Sequence, residues 1–185
     1  MSFVLALEGL PGSGKTTLKN DLSFGELVID RVEQILPDDP DRDEHLTLQD
    51  IYRSDTLKTL RATGGTSDIA ILDRYYLSTL SYQYAHDKTF GTQNYPKAAT
   101  RYTQALAEGS IVEPDITIYI DTPLAQSYLR KGRTPNSDIW TNENFLRAIE
   151  EFYKRQRGII LVDGSLEYNK VKRTIINIVE GMLNV

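Results

Sequence analysis

The chain has 185 residues, of which 40% are hydrophobic and 25% charged, and its formal charge is −5. That profile fits one soluble globular domain, and its acidity argues against non-specific binding to nucleic acid. Cysteine is absent and the two histidines, His45 and His86, stand far apart, so thiol chemistry is excluded and both are expected as solvated surface residues. The first eight residues have no basic stretch and only a short apolar run, neither a signal peptide nor a membrane span, which leaves a cytoplasmic location as the expectation.

Phe3 to Leu7 is a short apolar run ending at a glycine-rich turn and reads as a buried strand. Lys15 to Leu22 follows as a short helix, then Glu26 to Ile29 as a brief second strand. Pro37 to Glu44 packs prolines and acids together and reads as a solvated loop. Leu46 to Ala62 has helical spacing with Leu48, Ile51, Tyr52, Leu57 and Leu60 on one side, and Thr63-Gly64-Gly65 ends it. Ile69 to Leu72 is a third strand running into Asp73-Arg74. Helices are expected at Tyr76 to Tyr84 and Pro96 to Glu108, a fourth strand at Ile116 to Ile120, and a helix at Pro123 to Arg130. A polar loop at Lys131 to Thr141, a helix at Asn142 to Arg157, a fifth strand at Ile159 to Val162 and a helix at Tyr168 to Leu183 complete the chain. Continuous apolar strands alternating with helices imply one α/β domain, residues 1–185, whose parallel sheet is covered on both faces.

Gly9-Leu10-Pro11-Gly12-Ser13-Gly14-Lys15-Thr16 fits G-x-x-x-x-G-K-[ST] throughout, between a strand and a helix as that loop requires. Glycines let the backbone wrap so that N–H groups face phosphate oxygens, and the helix start adds its positive dipole end. Residues Gly9 to Thr17 are therefore the candidate ATP-binding residues, with Lys15 on the β- and γ-phosphates and the Thr16 hydroxyl a Mg²⁺ ligand. A guanine-reading Asn-Lys-x-Asp is absent, since Asn169-Lys170-Val171-Lys172 lacks the carboxylate. That leaves a small-molecule phosphotransferase as the reading.

Asp73 caps an apolar strand, the pattern of a second Mg²⁺ ligand beside the phosphate loop, and it also suits a helix cap. Arg74 follows at the carboxyl end of that strand, where open α/β sheets bind ligands and a guanidinium can grip an anion with two bonds. Ser78, Tyr82, Thr79 and Gln83 continue from it as a polar stripe, although the tyrosines also suit packing. Leu129-Arg130-Lys131-Gly132-Arg133 is the dense basic run of an acidic chain. Its arginines can stabilise charge on a transferred phosphoryl group, or simply favour a helix C-terminus.

These residues resemble the thymidylate kinase family of nucleoside monophosphate kinases. Glu8-Gly9 through Thr17 is similar to the family's Glu-Gly loop opening. Asp73-Arg74-Tyr75-Tyr76-Leu77-Ser78-Thr79-Leu80-Ser81-Tyr82-Gln83 resembles its Asp-Arg-x-x-x-Ser-x-x-Ala-Tyr-Gln signature. Pro114 to Asp121 is similar to its Pro-Asp-Leu-Thr-Leu-Tyr-Leu-Asp strand. The resemblance implies a P-loop three-layer α/β/α fold with strand order 2-3-1-4-5, and a homodimer. It sets Arg53 and Arg74 against the acceptor nucleotide and Ser78 and Gln83 near its base. It makes about 130–141 a short lid in which Arg130 and Arg133 join Lys15, Asp73 and Arg74 as catalytic residues.

Three departures surround the acceptor site. Asp30-Arg31-Val32-Glu33-Gln34 replaces the family's Arg-Glu-Pro-Gly, Leu10-Pro11-Gly12 carries no acid, and the first helix is short. Glu33 also resembles the base that deoxynucleoside kinases place after their second strand, with Gln49 on the helix that reads the base. A hydroxyl acceptor needs such a base and a phosphate acceptor does not. A nucleotide kinase, a nucleoside or other small-metabolite kinase, and a nucleotide-binding regulator without turnover therefore stay open.

Overall fold

The computed structural model describes residues 2–33, 48–132 and 134–183; the acidic stretch at 37–44, His45 and Arg133 lie outside them. The elements run β1 (Phe3–Gly9), α1 (Lys15–Asp21), β2 (Ile29–Val32), α2 (Leu48–Gly64), β3 (Ile69–Asp73), α3 (Tyr76–Phe90) and α4 (Tyr95–Glu108). They continue with β4 (Ile116–Asp121), α5 (Leu124–Lys131), a single 3-10 turn at Ile139–Thr141, α6 (Glu143–Arg155), β5 (Ile159–Asp163) and α7 (Tyr168–Leu183). The five strands form one parallel sheet in the order β2-β3-β1-β4-β5, the order the resemblance implies.

Alternation along β1 divides the core, because successive side chains leave a strand on opposite faces. Leu5 and Leu7 join Leu18 and Leu22 of α1 and Val171, Ile175 and Val179 of α7 on one face. Val4 and Ala6 point the other way, with Ala70, Leu72, Tyr75 and Tyr102. Glu8 is next in the Val4–Ala6 row, and this register sends its carboxylate inward, to 0% exposure. Further along that face Tyr119 of β4 lies among Phe145, Ile149, Phe152 and Tyr153 of α6. Each fully buried leucine or isoleucine side chain contributes about 1.5–3 kcal/mol, so the central strands are secured by burial.

Several elements differ from the sequence reading. The second strand is Ile29–Val32 rather than Glu26 to Ile29, since Gly25 adopts φ 58° and the Leu27 N–H bonds Phe24 O in a turn. An edge strand can carry Asp30 and Arg31 between Ile29 and Val32, so its apolar signal is weak. Helix α3 runs on past Tyr84 to Phe90, where Gly91 at φ 71° ends it. His86 is half-buried beside Thr92, with Nδ1 2.9 Å from its hydroxyl.

The largest difference is in α2. Its buried residues are Ser54, Asp55, Lys58, Thr59 and Ala62, whereas Leu60, expected on the inner face, is 61% exposed. The helix therefore turns a polar stripe toward the core. Thr79 and Tyr102 donate to Asp55 Oδ2 at 3.2 and 2.7 Å, and the hydroxyls of Thr59 and Tyr75 meet. Among the described residues no helix is long and apolar enough to cross a membrane.

Candidate active site

The loop between β1 and α1 is shaped by close backbone approaches. A Cβ on Gly9, at φ 150°, would lie 2.9 Å from Ile120 O, and one on Gly12, at φ 84°, would lie 2.7 Å from Ser127 O. Only glycine meets both the conformation and the space. The Ser127 hydroxyl also donates to Pro11 O, tying the loop to α5. Leu10 contributes no side chain to the loop's surface: it is fully buried, and its carbonyl serves the site instead.

That carbonyl accepts from Lys15, whose ammonium donates to Gly9 O and Leu10 O at 2.8 Å each and to Ser13 Oγ at 2.9 Å. Burial pushes the Lys15 pKa well below its ordinary value, with Arg74 and Lys131 adding to the effect and Asp73 and Glu8 opposing it. The Thr16 hydroxyl donates to Asp73 Oδ2 at 2.7 Å, bringing together the two residues expected to ligate Mg²⁺.

At the end of β3 the chain turns sharply, and Arg74 takes φ 61°. A non-glycine residue holds that conformation at a cost of about 1–3 kcal/mol unless its surroundings impose it. Here they do. The Arg74 N–H donates to Leu7 O at 3.0 Å, the Lys58 ammonium donates to Asp73 O at 3.1 Å and Arg74 O at 2.7 Å, and the Tyr75 N–H donates to Glu8 Oε1 at 2.9 Å. Glu8 also accepts from Ser78 at 2.5 Å and Tyr153 at 2.9 Å. Burial raises the Glu8 pKa, although those bonds and the Arg74 charge act against the rise. Burial likewise opposes the charge on Arg74, but Tyr82, Glu8, Tyr153 and Asp73 outweigh it and hold its pKa above the usual value. The Arg74 guanidinium lies 5.4 Å from the centre of the Tyr82 ring.

These groups open on a cleft of about 640 Å³ lined by Pro11, Gly12, Gly14 to Thr17, Lys19, Glu33, Asp73, Arg74, Arg130 and Lys131. Five cations there face two carboxylates, a positive surface on an acidic protein and a match for phosphate groups. Glu33 pairs with buried Lys19 at 2.6 Å, and that hydrogen bond lowers the Glu33 pKa. Arg130 reaches back to Gly164 O at 3.2 Å.

Other candidates fall elsewhere. Ser78 is buried and turned to Glu8, so it supports the underside of Arg74 rather than lining the cleft. Arg53 is exposed on α2 and Gln83 half-buried on α3, and neither lines the cleft. Arg133 lies outside the described residues. Lys58, Lys19 and Tyr153 were not anticipated. Burial of Glu8 was foreshadowed by the β1 alternation, but a buried lysine on a helix leaves no periodic signal.

A parallel sheet of this order, with a phosphate loop leaving its central strand and an Asp-Arg pair at the end of the neighbouring one, defines a P-loop kinase fold. No protein-family profile matches the chain. In sequence, however, it is similar to proteins named thymidylate kinase. It is 25% identical over 211 residues to a probable thymidylate kinase 1 of Saccharolobus solfataricus, covering 99% of this chain and 100% of the relative. A probable thymidylate kinase of Halorubrum lacusprofundi is 29% identical over 170 residues, 82% of each chain. The thymidylate kinase of Thermoanaerobacter sp. is 26% identical over 209 residues, 97% of this chain and 98% of that one. Among solved structures, deoxyadenosine kinase from M. mycoides with bound dATP superposes with a TM-score of 0.70 at 18% identity, over 96% of this chain and 99% of the other. Thymidylate kinase from Candida albicans gives 0.67 at 19%, over 99% and 93%.

Proposed function

We propose that the chain transfers the γ-phosphoryl group of ATP to a nucleoside monophosphate, with thymidylate the first candidate. The observation that carries this reading is the convergence of Lys15, the Thr16–Asp73 pair, Arg74 and the basic end of α5 on one cleft. Phosphoryl transfer asks a protein for positioning and charge neutralisation more than for covalent chemistry, and these residues supply both. The full-length likeness to proteins named thymidylate kinase supports the acceptor class.

In this reading residues Gly9 to Thr17 hold the ATP phosphates, and Lys15 exchanges its loop carbonyls for phosphate oxygens. A hydroxyl and a carboxylate oxygen already in contact are hard donors suited to Mg²⁺, so Thr16 and Asp73 would hold it. Bound there, the ion would supply charge neutralisation for the phosphate groups. Arg74 grips the acceptor phosphate, with Arg53 and Gln83 farther along the acceptor side. Residues 130–141 act as a lid on a single kinase domain, Arg130 and Arg133 carrying charge to the transferred group and the closed lid excluding water. A homodimer and a cytoplasmic location accompany this reading.

A second reading has its own observation. Glu33 follows β2 directly and lines the same cleft, and the deoxyadenosine kinase shares the fold. In that case the acceptor is a nucleoside and Glu33 takes the hydroxyl proton. The test is turnover with ATP and Mg²⁺ across a panel of monophosphates and nucleosides. Transfer to dTMP or another monophosphate is expected. Transfer confined to nucleosides replaces the first reading by the second, and ATP binding without transfer overturns both in favour of a nucleotide-binding regulator.

A further inference from the structure

We infer that Lys58 is a positioning residue that holds the Asp73-Arg74 corner in its working conformation from the buried face of α2; the inference rests on the proposed role of that corner in phosphoryl transfer.

Helix α2 is packed the wrong way for simple stability. It leaves Leu60 61% exposed and buries Asp55, Lys58 and Thr59 at 3% each. Taking an ammonium out of water is unfavourable unless it is fully bonded, and apolar residues of similar volume generally serve a core as well or better. Leucines already present on α2 could have faced the core by a rotation of the helix. What the polar face provides and leucine cannot is a pair of donors for two adjacent carbonyls. Those carbonyls belong to Asp73 and Arg74, the carboxylate beside Thr16 and the guanidinium facing the cleft.

The clamp is two-sided. Lys58 holds the carbonyls of residues 73 and 74 from α2, and Glu8 holds the N–H of residue 75 from β1. Between these opposite buried charges sits the residue with φ 61°. Burial lowers the Lys58 pKa and Arg74 adds to the fall, while Asp55, Glu8 and Asp73 oppose it. Without the ammonium, nothing else among the described residues bonds the Asp73 and Arg74 carbonyls from that side. The corner could then relax, swinging Arg74 away from Asp73 and the cleft.

The experiment uses the full chain with Lys58→Met, Lys58→Arg and the double variant Lys58→Met/Asp55→Asn, which removes both buried charges and guards against misfolding of the single variant. Amide exchange by NMR, without substrate, should show lost protection at Arg74 and Tyr75 but not in β1 or α7. In turnover assays kcat/KM for the monophosphate should fall roughly tenfold to hundredfold, the scale of a misplaced binding group. Affinity for ATP measured without Mg²⁺ should be unchanged, and Lys58→Arg should restore part of the loss. Unchanged protection at residues 74 and 75 overturns the inference. So does a loss shared equally by ATP and acceptor in proportion to lost stability. If the wild-type chain transfers to no acceptor, the functional reading fails by itself, and the exchange measurement still decides the clamp.

Discussion

The Thr16 hydroxyl donates to Asp73 Oδ2 at 2.7 Å, so the end of the phosphate loop and the end of β3 meet at one point. Two elements far apart in sequence thereby present adjacent oxygens beside Lys15, and adjacent hard oxygens are what a small divalent cation needs. Asp73→Asn keeps the size and a hydrogen-bond acceptor but removes the negative charge. It is expected to lower kcat roughly hundredfold and to raise the Mg²⁺ concentration for half-maximal rate. A Mg²⁺ titration of the rate checks this, and an unaltered titration curve excludes Asp73 as a ligand.

Gly12 gives a prediction that rests on backbone alone. An alanine Cβ there would stand 2.7 Å from Ser127 O while the backbone holds φ 84°. The obstacle is a main-chain carbonyl, not a flexible side chain, so either the loop or α5 must move. Gly12→Ala is expected to destabilise the fold by about 1–3 kcal/mol and to raise the KM for ATP. Urea unfolding with and without ATP measures both, since a spoiled loop also loses the stabilisation that ligand binding confers.

How much of this was legible beforehand depended on whether burial was apolar. Strands β1 and β3 and the phosphate loop were readable because continuous apolar runs and fixed glycine spacing mark them, whereas the sheet order came only from the family resemblance. The inner face of α2 was not. Its leucines announced an amphipathic helix, but the structure buries Asp55, Lys58 and Thr59, whose value lies in carbonyls and hydroxyls supplied by β3, α3 and α4. No periodicity within α2 encodes those distant partners. The partner of Ser78 was hidden for a related reason: its position on α3 suited an acceptor contact, while the structure turns its hydroxyl to buried Glu8. Edge strand β2 was shifted by three residues because pairing on one side leaves little apolar signal.

Tyr153 joins α6 to the underside of the Arg74 corner through its hydroxyl bond to Glu8. Tyr153→Phe removes that donor and leaves the carboxylate with the Tyr75 N–H and Ser78. Losing one bond to a buried charged group is expected to cost about 1–3 kcal/mol in unfolding free energy. Because Glu8 also braces Arg74, the KM for the acceptor should rise while that for ATP stays the same. A rise in both would assign Tyr153 to the phosphate loop instead.

Asp55 sets the pH dependence of the buried α2 face. Burial raises its pKa from 3.8 to about 6, against the opposing effects of Lys58, Tyr102 and Thr79. A carboxyl whose folded pKa exceeds its unfolded one binds its proton more tightly in the folded state. Its favourable contribution is fully present below pH 3.8 and is lost as pH rises through about 6. A shift of that size corresponds to at most about 3 kcal/mol. Asp55→Asn cannot titrate, so the wild-type protein should lose stability relative to the variant between pH 4 and pH 7, by an amount approaching that limit. Urea unfolding of both proteins at several pH values in this window measures the difference. A constant difference would mean that Asp55 ionises equally easily in the folded and unfolded chains, and that the buried face of α2 is more hydrated than its contacts indicate.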